Sequence, residues 1–253
     1  MVIRGLHMFN DIDAKKKKID EKRPLDKHQV WQLKKYFDVE FTYNTNAIEG
    51  NTLNINETKV VLEDGITVGK GKTIKEHLEA INHKEAMDFL EEYVRQREDL
   101  TEKFIRDLHT LILNNIDKEN PGKYRQKNVT ISGSQHKPLD HFKIPEQMKD
   151  MIDWYHEKKY KLHPVELSVY LHHRFTYVHP FIDGNGRVGR LLMNFVLLRN
   201  GYPLAVIKAK DRERYMEALE KASVNGDYSA LFEVVKKALE DSFEIYFHVL
   251  EIK

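Results

Sequence analysis

Apolar residues recur at helical spacing along most of this chain, and proline or glycine marks where several of these stretches stop. Pro164 suits the first position of one helix, and Pro180 ends it. The apolar positions of this helix are Val165, Leu167, Leu171, Phe175 and Val178. The stretch 188–198 is apolar almost all round and ends at Asn200-Gly201, which indicates a helix buried in the middle of a bundle. The turn between the two stretches therefore opens a central helix.

Further patterns lie on either side of this pair. From about Asp26 an apolar stripe predicts a helix that ends at Gly50, where glycine supplies a left-handed stop. Its positions are Val30, Leu33, Phe37, Phe41 and Ile48. Other helices are predicted over 76–94, over 212–223 and near the end of the chain. The last one has its inner face at Leu231, Val234, Val235, Ala238 and Leu239. The short, β-branched, alternating stretch 128–138 predicts a small β-hairpin in a mostly α chain.

Composition excludes some classes of protein. With 253 residues and helical periodicity throughout, the chain has the size of one mostly α domain. A net charge of +1, with a single basic run at Lys15–Lys18, argues against nucleic acid as a partner. Without cysteine, neither a disulfide nor a thiolate metal site can form. No apolar run is long enough for a signal peptide or a membrane span, so we expect a cytoplasmic protein that does not bind membranes.

One stretch combines a base, an acid, a glycine-rich turn and two guanidinium groups: His179-Pro180-Phe181-Ile182-Asp183-Gly184-Asn185-Gly186-Arg187-Val188-Gly189-Arg190. The glycines let an anion approach the backbone N–H groups that begin a helix. Arg187 and Arg190, three residues apart on one helix face, can each bind a phosphate oxygen. Asp183 has the charge to hold a Mg²⁺ that bridges two phosphates. His179 is the candidate general base, because imidazole accepts protons near neutral pH.

This run resembles the Fic-domain signature, H-P-F-x-D-G-N-G-R-x-x-R, at every specified position. The resemblance implies a single helical-bundle domain with a small β-hairpin flap. It also implies transfer of AMP from ATP to a Ser, Thr or Tyr hydroxyl of a target protein, a nucleotidyltransferase reaction. His179 would deprotonate the hydroxyl and Asp183 would hold Mg²⁺. The phosphates would be bound by the backbone of Gly184, Asn185 and Gly186 and by the side chains of Arg187 and Arg190.

The upstream run Thr45-Asn46-Ala47-Ile48-Glu49-Gly50-Asn51 resembles the inhibitory motif of the same family. Glu49 falls at the C-terminus of the predicted helix, about 26–49, where its charge opposes the helix dipole unless a cation answers it. In similar proteins that cation is the second signature arginine, here Arg190. The resemblance thus implies regulation by Glu49, which would withdraw Arg190 from the γ-phosphate. Residues 1–63 would form this N-terminal segment, packed on a catalytic core over 64–253.

Two further segments resemble parts of the family's nucleotide site. Gly122-Lys123-Tyr124-Arg125 and the predicted hairpin resemble a flap that covers the nucleotide and pairs with an extended segment of the target. The nucleotide contacts implied there are Ser134, Gln135 and His136. The stretch 212–223 resembles the adenine-side helix, with Tyr215, Leu219 and Ser223 as candidates for the base pocket. The family more often has Asn or Asp where Ser223 stands and an aromatic residue at Met216, so this pocket departs from the pattern.

Several functions fit the same residues. The leading interpretation is an adenylyltransferase, and the alternatives are a phosphodiesterase that removes AMP from proteins, transfer of another phosphate-linked group, or a nucleotide-gated binding module without turnover. Self-modification and oligomer formation stay open. His172, His173 and His179 lie within eight residues, but helical spacing points the first two apart, so a shared zinc is not favoured.

Overall fold

The computed structural model of the chain describes residues 9–69 and 71–253, and within these ranges nearly all regular structure is helical. Its α-helices are α1 (Asn10–Asp20), α2 (Lys27–Ile48), α3 (Ile55–Asp64), α4 (Ile74–Arg95), α5 (Glu102–Ile112), α6 (Ile144–Lys158), α7 (Pro164–Val178), α8 (Asn185–Arg199), α9 (Arg212–Asn225) and α10 (Ser229–Val249). Short 3-10 helices cover His141–Lys143 and Ala209–Asp211. The prediction of a mostly α chain is confirmed.

Helix α8 is the centre of the molecule, as its apolar sequence predicted. Its residues from Arg187 to Leu197 are all buried, and α7 packs closely along it. The approach depends on Gly189, where an added Cβ would lie 2.9 Å from Thr176 Cγ2 and 3.0 Å from His172 Nδ1. A larger residue at that position would push the two helices apart.

Two apolar clusters meet at α8 and form one continuous core. One cluster includes Leu191 and Phe195 and extends to α4, α5 and α6. The other includes Met193 and Leu197 and extends to α1, α9 and α10. Since neighbouring positions of α8 contribute to both clusters, each half of the molecule is anchored on the same helix.

Helix α2 crosses the molecule and carries the predicted inhibitory segment. It begins with a capping box: Asp26 accepts from the Gln29 N–H at 2.8 Å, and the Gln29 side chain accepts from the Asp26 N–H at 3.1 Å. It ends at Ile48, and Gly50 has the expected left-handed backbone with φ 98°. At that end Arg212 of α9 donates from Nε to the Ile48 carbonyl at 2.7 Å. The last turn of α2 is therefore fixed against the core.

The predicted β-hairpin at 128–138 is wrong, since no strand occurs among the residues that the structure describes. The return leg, 133–138, contains glycine and proline and no β-branched residue, so it makes a poor partner strand. Arg125 instead holds the two ends together, because its guanidinium donates to the carbonyls of Lys127 and Leu139. We call residues 127–139 the flap loop.

The N-terminal part of the chain is partly outside the described ranges. Residues 1–8 and Lys70 lie outside the described ranges. The prediction that the N-terminus is not a signal peptide therefore also lies outside them. The basic run Lys15–Lys18 lies on α1, which packs on α10. None of the described helices is both long enough and apolar enough to cross a membrane.

Asn194 offers a test of how the segment after α8 is held. Its side chain accepts from the Ala205 N–H at 2.7 Å and donates to the Ala205 carbonyl at 3.2 Å, with both residues fully buried. Asn194→Leu should lower the free energy of unfolding by about 2–4 kcal/mol, because both backbone groups lose their partner. Urea denaturation measures this. The exposed Asn225→Leu is the matched control, and equal effects of the two substitutions would contradict the assignment.

Candidate active site

The loop between α7 and α8 has a defined shape because Arg125 binds its backbone. His179 follows α7 with a left-handed backbone at φ 50° and ψ 60°, and Gly184 precedes α8 with φ 78°. Arg125 donates from Nε to the His179 carbonyl and from its backbone N–H to the Pro180 carbonyl, each at 2.9 Å. The same arginine thus positions the candidate base and closes the flap loop.

Phe181, in the middle of this loop, is fully buried and held from two sides. The Asn185 side chain accepts from the Phe181 N–H at 3.0 Å and donates to its carbonyl at 2.8 Å. His109 stacks on the Phe181 ring at a centroid distance of 3.6 Å. His109 Nδ1 accepts from the Gly122 N–H at 2.9 Å, so Nε2 carries the hydrogen that it donates to the Asp183 carbonyl at 3.0 Å. Sequence analysis missed His109, because a lone histidine on a helix carries no local signal.

Arg190 lies in the core and is bound by the end of α2. Its side chain is 1% exposed. Nε donates to Thr45 Oγ1 at 2.6 Å, and Nη2 donates to the Thr45 carbonyl at 3.0 Å and to Glu49 Oε1 at 2.7 Å. The Glu49–Arg190 pair that the resemblance implied is present, and it is short enough for a charge-assisted hydrogen bond.

Arg187 is equally buried but is not bound in this way. Its side chain is 2% exposed and lies between two carboxylates. Nη2 is 3.4 Å from Asp183 Oδ1, and Nη1 is 3.6 Å from Glu79 Oε1. Within the described residues, Nε and Nη1 have no hydrogen-bond partner. Buried donors without a partner are rare, which marks Arg187 as a candidate anion-binding residue. Glu79 was not identified from the sequence.

Gly186 shows how closely the Glu49 carboxylate approaches the turn. A Cβ added at this position would overlap Glu49 Oε1 and lie 3.1 Å from Arg190 Nη1. Glu49 therefore stands next to the backbone that opens α8, where the resemblance places phosphate oxygens.

Asp183 fits a metal that brings most of its own ligands. Its Oδ1 accepts from the Gly184 N–H at 2.6 Å, and its side chain is 53% exposed. No group of three His, Cys, Asp or Glu side chains that could hold a metal ion occurs among the described residues. A single exposed carboxylate suits Mg²⁺ that keeps water and substrate phosphates as its other ligands.

A cavity of about 970 Å³ lies between α8, α9 and the flap loop. Most of the predicted site residues line it: Glu49, Ser134, His136, His179, Asn185, Gly186, Arg190, Tyr215, Leu219 and Ser223. Four others are not part of its lining: Gln135, Asp183, Gly184 and Arg187. Glu49 at the end of α2 and His179 before α8, 130 residues apart in the chain, thus line one cavity.

Two of the residues predicted to contact the adenine ring have polar groups that are bound inside the protein. Tyr215 is fully buried, and its hydroxyl lies 2.8 Å from His172 Nε2. The Ser223 hydroxyl lies 3.0 Å from His173 Nε2. The two histidines point to different partners. Of the residues predicted to contact adenine, Leu219 remains as an apolar surface for the adenine ring.

The flap loop is tied to α9 through Glu220, a residue that sequence analysis did not single out. The Glu220 carboxylate accepts from the Ser134 hydroxyl and, at 2.7 Å, from the Gln135 N–H. His136 Nε2 lies 2.9 Å from the Tyr177 carbonyl. These contacts hold the loop over the cavity without the cross-strand hydrogen bonds of a hairpin.

The candidate base is neutral at neutral pH. Burial lowers the pKa of His179 to about 4, and the charge of Arg125 acts in the same direction. An imidazole with this pKa is unprotonated above about pH 5, so its ring nitrogen can accept a proton.

A model of the Fic/DOC family matches residues 99–197 of the chain. The protein adenylyltransferase Fic of Nematostella vectensis is 34% identical over 237 residues, which cover 90% of this chain and 55% of that protein. Protein adenylyltransferase fic-1 of Caenorhabditis elegans is 33% identical over 209 residues, covering 81% of this chain and 40% of that protein. The chain therefore spans about half the length, or less, of these curated relatives.

Solved structures extend the similarity over nearly the whole chain. A Fic-domain-containing signaling protein from Bacteroides thetaiotaomicron is 31% identical with a TM-score of 0.81, and the match covers 95% of this chain and 94% of that one. A fragment of C. elegans Fic-1 is 30% identical with a TM-score of 0.84, covering 95% and 72%.

The buried histidines predict a loss of stability in mild acid. Burial lowers the pKa of His172 to about 3 and of His109 to about 4. In the unfolded chain each takes up a proton as the pH falls through about 6.5, whereas the folded protein resists until about 3–4. The free energy of unfolding should therefore fall between pH 6.5 and pH 4. Urea denaturation at pH 7.5 and at pH 5.0 measures this fall. His172→Gln should reduce it by about 1–2 kcal/mol. The exposed His28→Gln is the control, and an equal fall in all three proteins would contradict the assignment.

Proposed function

The chain belongs to the Fic/DOC family, and we propose that it is a protein adenylyltransferase that transfers AMP from ATP to hydroxyl groups of target proteins. One observation carries the proposal. Two buried guanidinium groups and the N-terminus of α8 face a turn that also presents a neutral histidine, within or beside a single cavity. Such a site can bind a polyphosphate and accept one proton.

The residues of the chain divide the reaction between them. His179 accepts the proton of the target hydroxyl, whose oxygen forms a bond to the α-phosphorus of ATP. The bond from that phosphorus to the bridging oxygen of the β-phosphate breaks, and pyrophosphate leaves. The turn at Gly184–Gly186 and Arg187 orient the phosphates, so that catalysis rests mainly on positioning and charge. Asp183 would hold Mg²⁺, which neutralises phosphate charge when bound.

Glu49 keeps this site inactive in the proposed mechanism. Its carboxylate binds Arg190 at 2.7 Å and stands beside Gly186, so it removes one guanidinium from the γ-phosphate. The remaining contacts would still bind nucleotide, but without the alignment that attack on the α-phosphorus requires.

The partner is a target protein bound along the flap loop. Because this loop is not a preformed hairpin, strand pairing with the target requires the loop to extend first. Glu220 holds the loop in place through Ser134 and Gln135, so its contacts define the starting conformation.

Removal of AMP from modified proteins is a second candidate. Glu49 and His179 line the same cavity, and the Glu49 side chain keeps 35% exposure, so its second oxygen is accessible to water. In that reaction Glu49 would orient the water, and the neutral His179 would take up the proton that the attacking water releases and pass it to the departing hydroxyl oxygen.

Label transfer tests the function directly. With Mg²⁺ and α-labelled ATP, Glu49→Gly should raise labelling of protein by about tenfold or more, equivalent to about 1.4 kcal/mol or more, because Arg190 is released. His179→Ala should abolish labelling in either background. Equal rates for wild type and Glu49→Gly would contradict inhibition by Glu49. Release of AMP from labelled protein without any α-label transfer would favour the hydrolase, and transfer from γ-labelled ATP would indicate kinase chemistry.

The pH dependence tests the role of His179. The base must be unprotonated, and its pKa lies near 4 in the free protein. For Glu49→Gly, kcat/KM should therefore change by less than about twofold as the pH falls from 8 to about 5.5. A decline centred near pH 6.5 would mean that the catalytic base is a group with an ordinary imidazole pKa.

A further inference from the structure

Glu79 is a carboxylate outside both sequence motifs that reaches the centre of the site. It lies near the start of α4, and its side chain is only 12% exposed. Oε1 is 3.6 Å from Arg187 Nη1, and Oε2 accepts from Asn51 Nδ2 at 2.8 Å. Its other cationic neighbour, Lys75, is exposed and 3.8 Å away. The main charge that Glu79 compensates is therefore the buried Arg187.

The contact between Glu79 and Arg187 differs from the inhibitory pair. Glu49 binds Arg190 through a hydrogen bond of 2.7 Å and so uses one of its donors. At 3.6 Å, Glu79 attracts Arg187 by charge without accepting a hydrogen bond from it. Arg187 Nε and Nη1 consequently keep their N–H groups free. A buried cation needs a neighbouring anion, and Glu79 supplies one without occupying an N–H donor of Arg187.

Glu79 also balances a competing carboxylate. Asp183 binds the other end of the guanidinium, where Nη2 donates a long hydrogen bond of 3.4 Å to Oδ1. Without the charge of Glu79, Arg187 would move towards Asp183 and form a closer, bidentate pair. That pair would occupy the donors of Arg187 and also the carboxylate assigned to the metal.

We propose that Glu79 is a positioning residue that limits Arg187 to a single long hydrogen bond with Asp183, so that Nε and Nη1 keep unpaired N–H groups for the polyphosphate of the nucleotide. The proposal rests on the proposed function for the identity of the ligand. It differs from the inhibitory role of Glu49, because loss of Glu79 weakens nucleotide binding whereas loss of Glu49 releases an arginine.

Nucleotide affinity tests the proposal without requiring turnover. Calorimetry with Mg²⁺ and a non-hydrolysable ATP analogue would be performed on Glu49→Gly, alone and combined with Glu79→Gln, Arg187→Ala or both. Gln keeps the size of Glu79 and an oxygen for Asn51, so the segment after Glu49 stays bound. Glu79→Gln should raise Kd about tenfold, and it should have less than a twofold effect once Arg187 is Ala. Lys75→Ala, which removes the exposed partner of Glu79, is the matched control and should leave Kd within twofold.

Three results would overturn the proposal: an unchanged Kd, a lower Kd, or an equal effect of Glu79→Gln with and without Arg187. A lower Kd would mean that Glu79 acts by repelling phosphate. Thermal melting of each variant separates loss of folding from loss of binding, and Glu79→Asp, which keeps the charge, should recover part of the affinity. Labelling by Glu49→Gly reports separately on the proposed function, so either conclusion can fail while the other stands.

Discussion

The burial of two guanidinium groups beside the first turns of α8 is the constraint on which the rest of the structure depends. Arg187 and Arg190 are each at most 2% exposed, and they lie near the positive end of a helix dipole. Removing such charges from water costs several kcal/mol each unless anions and acceptors replace the solvent. Those groups come from the end of α2, from α4 and from the loop before α8. The three elements must therefore meet at this point for the core to close.

Burial, together with neighbouring arginines, keeps the surrounding imidazoles neutral. Burial lowers the pKa of His83 and His172, and the charge of Arg190 lowers both further. His179, near Arg125, has a similarly low pKa. Burial thus favours neutral histidines, which can accept protons and hydrogen bonds, and positive charge acts in the same direction.

Sequence analysis recovered those parts of the site that local signals define. The turn before α8, the limits of α2 and the position of Glu49 follow from proline, glycine and helical spacing, and the structure places them together. His109, Glu79 and Glu220 were missed because each is a single polar residue on a helix, and its partners are fixed only by packing. The hairpin prediction failed for the opposite reason: β-branched alternation was present, but a strand also needs a partner with similar propensity. The capping box at the start of α3, formed by Asn54 and Glu57, is a sequence pattern that was not used to predict that helix.

The position of Glu49 at the end of a helix anchored in the same chain has a consequence for how the proposed inhibition responds to concentration. An inhibitor on a separate molecule dissociates on dilution, whereas Glu49 meets Arg190 at an effective concentration in the millimolar range or above, whatever the amount of protein. If Glu49 inhibits as proposed, the proportion of inhibited single chains depends on the free energy of the end of α2 relative to α8 and not on how much of the inhibitor is present.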